Sequence, residues 1–226
     1  MKKLIIFGTG SIAEVAYDYF QNESDYEVCL FTVEEDHIEN SMFLPRVIFP
    51  FNGIEDVFPP STYDMFIAIG SLRLNHTRER IFCEAKEKGY KLATFISQHA
   101  YIGRNVKIGE NCFIQEHNNI QYGVSIGDNT IIWASNHIGH HTEIGSHCFL
   151  ASGIALSGYC NIGDYSFIGC GVSTKDGTKV GKRCLIGLNA TITKDIKDER
   201  VCTAPQSETK TFDTLSDSAK KLYYWG

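Results

Sequence analysis

The stretch Ile138-Gly139-His140-His141-Thr142-Glu143-Ile144-Gly145-Ser146-His147-Cys148-Phe149-Leu150 repeats its pattern every six residues. An aliphatic side chain leads each unit, and a small one stands four positions later, at Thr142 and Cys148. Counting outward in sixes, the leads run Ile102, Ile108, Ile114, Ile120, Ile126, Ile132, Ile138, Ile144, Leu150, Leu156, Ile162, Ile168, Thr174, Val180, Ile186 and Ile192. Sixteen hexads share one register, and fifteen of the leads are Ile, Leu or Val. The slim slot recurs at Val106, Cys112, Thr130, Cys160, Ser166, Val172, Cys184 and Ala190. A strict short period is the mark of a solenoid. One hexad forms one side of a triangular coil, so three hexads make a turn. The leads fill the prism, and the slim residues let the chain round its corners. Backbone hydrogen bonds then run from coil to coil, as in any parallel sheet.

Composition sets the outer limits. The chain has 226 residues, 43% of them hydrophobic and 21% charged, as in an ordinary globular protein. A net charge of −6 argues against a binder of nucleic-acid backbones. The apolar run Leu4-Ile5-Ile6-Phe7 is too short for a signal peptide, and no segment has the length of a membrane span. Four of the eight cysteines (Cys112, Cys148, Cys160 and Cys184) occupy slim inward slots, and no CxxC pair exists. Reduced core cysteines and a cytoplasmic location are expected.

Residues 1–97 follow another grammar. Leu4-Ile5-Ile6-Phe7 predicts a buried strand, which Gly8-Thr9-Gly10 ends. Ile12, Val15, Ala16, Tyr19 and Phe20 then recur at helical spacing. Glu27-Val28-Cys29-Leu30-Phe31, Met65-Phe66-Ile67-Ala68-Ile69 and Leu92-Ala93-Thr94-Phe95 predict three more strands. Ser71 is the expected N-cap of a helix carrying Ile81, Phe82 and Ala85 and closed by Gly89. Pro45, Pro50, Pro59 and Pro60 predict mostly loop between Asp36 and Tyr63. The expected fold is therefore a half-Rossmann α/β domain with a parallel sheet (1–97), then a β-helix of hexapeptide repeats (98–200). A tail (201–226) follows, with a short aromatic helix over 213–225 as a cap or subunit contact. Asn118 and Asn136, one coil apart, are expected to hydrogen-bond to each other.

Three patterns point to chemistry. Four of the eight histidines fall in eleven residues: His137, His140, His141 and His147. Hexad counting places His140 and His141 outside the prism near a corner, and histidine is the side chain best suited to move a proton at neutral pH. Gly8-x-Gly10-x-x-Ala13, with Ser11 opening a helix, suits a phosphate or ribose at a helix N-terminus. Glu34, Glu35 and Asp36 follow the second strand, and Gly70-Ser71 the third, so three loops converge at one sheet edge. Seven basic residues (Lys175, Lys179, Lys182, Arg183, Lys194, Lys197 and Arg200) against four acidic ones lie between 175 and 200. They suit the phosphates of a coenzyme or, equally, a solvated solenoid end.

Together Gly8-Thr9-Gly10, the strand end Phe66-Ile67-Ala68-Ile69-Gly70, the helix with Arg78 and the hexads resemble sugar N-/O-acyltransferases of the NeuD/PglD type. These are left-handed β-helix, hexapeptide-repeat acetyltransferases. The resemblance spans roughly residues 3–205. It implies a cytoplasmic homotrimer using acetyl-CoA, with no metal, to acetylate a nucleotide-linked amino sugar for surface-glycan synthesis. It implies that His140 takes the proton of the sugar amine, and that Gly158 N–H faces the thioester carbonyl. In the family an acid follows the catalytic histidine; here His141 stands in its place. Glu143, or a carboxylate of a neighbouring subunit, is left as the partner that orients His140. A second histidine of some members aligns with Phe149. Cys170, Lys175, Lys179 and Leu188 are the further residues expected along the acyl-CoA. Gly8, Gly10, Ser11, Glu34, Glu35, Gly70 and Ser71 are those expected around the nucleotide sugar. Direct transfer needs no covalent intermediate, and Cys148 is read as core. Four alternatives stay open: a sugar O-acetyltransferase, a γ-type carbonic anhydrase with zinc on His137, His140 and His141, an NAD-dependent oxidoreductase, and a non-catalytic scaffold.

Overall fold

A computed structural model describes residues 2–207 of the chain. The helix expected over 213–225 lies outside these residues. The front domain comprises β1 (Lys2–Phe7), α1 (Ser11–Glu23), β2 (Tyr26–Val33), β3 (Met42–Phe43), β4 (Arg46–Pro50), α2 (Ile54–Val57), β5 (Tyr63–Ile67) and α3 (His76–Glu87). Its sheet has the order β3-β4-β2-β1-β5, parallel except for the β3–β4 pair. β1 and β5 are apolar runs because both faces are covered: Leu4, Ile5, Ile6, Met65, Phe66 and Ile67 are fully buried. On α1, Ala13, Ala16 and Phe20 form the buried stripe that the helical spacing predicted.

Three expectations for this half change. The segment read as loop between Asp36 and Tyr63 contains β3, β4 and α2. Pro45 and Pro50 bracket β4 rather than interrupt it, and proline is tolerated at strand ends. Ser71 does not cap α3. Arg73, Leu74 and Asn75 pass through the left-handed region (φ 51°, 48° and 68°), so the helix starts only at His76. Leu92-Ala93-Thr94-Phe95 is not a fourth strand of the front sheet. Leu92 makes one bridge to Met65, and the chain then enters β6 (Phe95–Ile96), which pairs with Phe113–Ile114 of the prism. Ile96 stands one hexad before Ile102, so the period already begins there.

From Tyr101–Ile102 to Thr191–Ile192 every hexad supplies a two-residue strand. Three parallel sheets result. The first face has six strands (Tyr101–Ile102 to Thr191–Ile192), the second five (Lys107–Ile108 to Lys179–Val180), the third seven (β6 to Val201–Cys202). Each strand pairs with the one a coil away, as Asn119 does with His137 and His137 with Ala155. This is the left-handed β-helix that the hexads predicted. Val201–Cys202, assigned to the tail, closes the third face beside Leu185–Ile186.

The lead side chains from Ile114 to Ile192 are buried and form one core with Cys112, Cys148 and Cys184. Burying one such aliphatic side chain contributes roughly 1.5–3 kcal/mol. Burial pushes the Cys112 and Cys148 thiols up to about 12, so they are protonated packing groups. Glycine after a lead lets the next coil lie close: a Cβ on Gly139 would stand 2.6 Å from the Gly158 nitrogen. The Asn118 and Asn136 side chains bond to backbone rather than to each other. Asn118 Oδ1 accepts from Asn136 N–H (3.1 Å), and Asn136 Oδ1 from Ile154 N–H (2.7 Å).

The two halves share a core, in which Phe20, Phe66 and Phe95 pack with Phe113 of the prism. Arg78 on α3 joins them by polar bonds. Its guanidinium, 0% exposed, donates to the carbonyls of Ile69 and Gly70 in front and of Asn129 and Cys148 in the prism. Burial pushes its pKa down to about 10, which still leaves it charged at neutral pH.

Candidate functional site

Successive coils bring the exposed His140 and His141 to the corner between the first and second faces. His140 N–H donates to Gln121 Oε1 of the previous coil at 3.0 Å. The His140 ring lies over Gly158, where a Cβ would come within 2.9 Å of Nε2. A side chain at 158 would therefore displace the imidazole from this position. His140 Nδ1 is 3.2 Å from His141 Nδ1, and Nε2 has no hydrogen-bond partner among the described residues. His141 has φ 58°, stacks on Tyr159 (4.9 Å between centroids, 9° between planes) and meets Tyr122 edge-on.

Two expected partners are engaged elsewhere within this chain. Glu143 Oε2 accepts from Asn161 Nδ2 at 3.0 Å, on the second face rather than at the corner. Gly158 N–H donates to Asp176 Oδ1 at 2.9 Å. The latter bond has counterparts at another corner, where Glu110 N–H meets Asp128 Oδ1 and Ser146 N–H meets Asp164 Oδ1. A side chain one coil further thus caps a corner N–H as a regular device of the prism.

The expected acyl-CoA residues divide between corners. Lys175 follows the strand Ser173–Thr174 on the side of His140, and Lys179 begins the next strand on the second face. Both are exposed and make no ion pair among the described residues, whereas Lys182 pairs with Asp164 and Arg183 with Glu199. Cys170 and Leu188 lie at the corner between the third and first faces, away from His140, and Leu188 is 67% exposed. One copy of the chain does not bring them to the histidine.

The three front loops do converge. Gly8, Gly10, Ser11, Glu34 and Gly70 line a cleft of about 370 Å³, closed also by Thr9, Ile69 and Thr77. Gly8, at φ 124°, lies so near Ala68 that a Cβ would come within 2.8 Å of its carbonyl oxygen, whereas Gly10 faces open space. That asymmetry fits the motif: one glycine makes the turn, the other leaves room above the α1 N-terminus. Ser71 is not in the lining, and Glu35 faces an adjacent acidic hollow with Glu55 and Glu87. Glu34 is held by Arg80 through two bonds of 3.1 and 3.0 Å.

Sequence reasoning missed Tyr122, Tyr159, Gln121 and Asp176. The signal was present, since Tyr159 is His141 plus one coil and Asp176 is Gly158 plus one coil. His147, the fourth member of the histidine cluster, lies at the next corner. It is covered by α3, stacked on Tyr165 (5.0 Å) and bonded to Asn129. Among the described residues no group of three or more His, Cys, Asp or Glu is placed to hold a metal ion, and no helix is long and apolar enough to cross a membrane.

Two family profiles match the repeat region. One, described as bacterial transferase hexapeptide (six repeats), covers residues 123–153. The other, hexapeptide repeat of succinyl-transferase, covers 101–134 and 160–194. A comparison with curated protein sequences returns no match. Among solved structures, the acetyltransferase domain of PglB from Neisseria gonorrhoeae superimposes with a TM-score of 0.80 at 23% identity, covering 90% of this chain and 97% of that one. The same domain has been solved with acetyl coenzyme A. PerB from Caulobacter crescentus, in complex with CoA and GDP-perosamine, gives 0.80 at 21% identity, covering 90% and 95%. WeeI from Acinetobacter baumannii AYE gives 0.74 at 18%, covering 89% and 96%. The chain carries transferase-type hexapeptide repeats in the two-part, left-handed β-helix fold of these acetyltransferase structures.

Proposed function

We propose that this protein transfers an acetyl group from acetyl-CoA to the amine of a nucleotide-linked amino sugar, with His140 as general base. The observation that carries the reading is the corner itself: an exposed imidazole with Nε2 unpartnered, Nδ1 engaged and a glycine beneath it. The ligands named for PglB and PerB support it, as does the glycine-lined cleft over the α1 N-terminus, suited to a nucleotide diphosphate.

The amine attacks the thioester carbonyl only in its neutral form. His140 Nε2 takes the proton as the N–C bond forms, and returns it to the CoA sulfur as the C–S bond breaks. No covalent enzyme intermediate is required. Gly158 N–H serves the developing oxyanion once Asp176 swings off it, a surface hydrogen bond worth about 1 kcal/mol. Lys175 and Lys179 lie on the coenzyme's side of the corner. Cys170 and Leu188 enter from a second copy, whose third–first corner packs against this first–second corner in a homotrimer. The enzyme works in the cytoplasm, in the assembly of surface glycans.

The test is CoA release from acetyl-CoA against a panel of nucleotide-linked 3-amino and 4-amino sugars. At least one should turn over, and His140→Ala should lower kcat by roughly a hundredfold or more. Full activity in that variant would remove His140 from the mechanism; turnover only with hydroxyl acceptors would convert the reading to O-acetylation.

A further inference from the structure

The geometry points to His141 as the positioning residue for His140, with its neutral Nδ1 accepting the Nδ1 proton of His140 and so presenting Nε2 as the base; this rests on the acyl-transfer reading above. Two ring nitrogens 3.2 Å apart share one proton, so one ring donates and the other accepts. The base needs its lone pair on Nε2, the nitrogen without a partner. The proton therefore belongs on His140 Nδ1, and His141 carries its own on Nε2.

The His141 ring, though exposed, is held at one face and one edge. Its backbone is left-handed, and its N–H donates to the Tyr122 carbonyl at 3.0 Å. Tyr159 covers one face and Tyr122 meets the ring edge-on. Gly123 lies so close that a Cβ there would be 3.2 Å from His141 Cδ2. Among the described residues no carboxylate fills the role, since Glu143 is bonded to Asn161 and Asp176 to Gly158. The titratable side chains facing the pair are Tyr122, Tyr159 and Asp176.

A neutral acceptor behaves differently from an acid. A carboxylate supports the imidazolium with a full negative charge; His141 supports it with one charge-assisted hydrogen bond. His141 also fails when it is itself protonated, because its Nδ1 then becomes a donor facing a donor.

The experiment compares the full-length wild type with His141→Phe and His141→Asn. Steady-state kinetics are measured across pH, and the His140 tautomer is read from imidazole nitrogen-15 shifts. Phenylalanine keeps the stacking and removes the acceptor. kcat should fall roughly tenfold to a hundredfold with both KM values unchanged, and His140 should leave the Nδ1–H tautomer. Asparagine tolerates the left-handed backbone and offers Oδ1, so it should restore kcat to within about threefold. Wild-type kcat with an unchanged tautomer in His141→Phe overturns the assignment. If that variant does not fold, an Nε2–H tautomer of His140 in the wild type overturns it. The tautomer needs no substrate. An Nδ1–H His140 in a protein that acetylates no amino sugar would sink the functional reading and leave the histidine pair standing.

Discussion

Two corners of the prism carry the same pair of side chains and put them to opposite uses. At the first–second corner His141 stacks on Tyr159, one coil later, at 4.9 Å. Six residues on, at the second–third corner, His147 stacks on Tyr165 at 5.0 Å. Both histidines are left-handed, with φ 58° and 60°. The difference is the cover. The front domain lays α3 over the second corner, where Phe82 meets His147 edge-on and His76 stacks on Tyr165. Burial there holds the His147 imidazole below its ordinary value, against the pull of Glu79, Asp128 and Asp164. The open corner leaves His141 in solvent beside His140. One motif is thus packed under a second domain at one corner and left open to solvent at the other.

The strongest way to break the comparison is to remove the cover. Arg78→Met leaves the carbonyls of Ile69, Gly70, Asn129 and Cys148 without their charged donor. Such a loss should cost about 3–5 kcal/mol in urea denaturation, with the unfolding midpoint falling accordingly. The covered histidine gives a smaller, pH-dependent effect. Its folded pKa lies below the ordinary imidazole value of 6.5, so the unfolded chain binds a proton that the folded chain refuses. Stability contributed by the neutral ring is present above 6.5 and drains away as pH falls through that value toward the folded one. The melting temperature should drop more between pH 7.5 and 5.5 in the wild type than in His147→Gln; equal drops would show that the ring is not protected. Glu79 and Asp164, held below their usual values, add to the loss at lower pH. The least disruptive change is at the open corner. Asp176→Ala removes one exposed acceptor and should cost under about 1 kcal/mol. If Gly158 N–H holds the oxyanion, kcat stays at the wild-type level or rises. A tenfold fall would give Asp176 a direct part in the reaction.

The hexads made the prism readable because one physical demand, an inward aliphatic side chain per side, repeats at fixed spacing. They also put His140 outside and Cys148 inside, as the structure does. What a period of six does not reveal is which corner a second domain will cover, so it separates His147 from His140 without showing that α3 lies over it. That cover depends on long-range contacts such as Arg78 to Cys148, which leave no local pattern. The cap on Gly158 and the stack on His141 were written in the sequence at a longer period, eighteen rather than six. β3 and β4 escaped notice because prolines at strand ends look like prolines in loops.

The strand β6 has one more consequence. Phe95–Ile96 gives the third face a row of backbone donors and acceptors before the first complete coil is laid down. A stack of parallel strands exposes unpaired amides at each end, and such ends join to one another across molecules. The opening row of the third face is continuous with the front domain, so the domain fixes where the first coil starts. A coil inserted between the domain and Tyr101 would shift that start, whereas one added after Ile192 would leave the cleft and the His140 corner untouched.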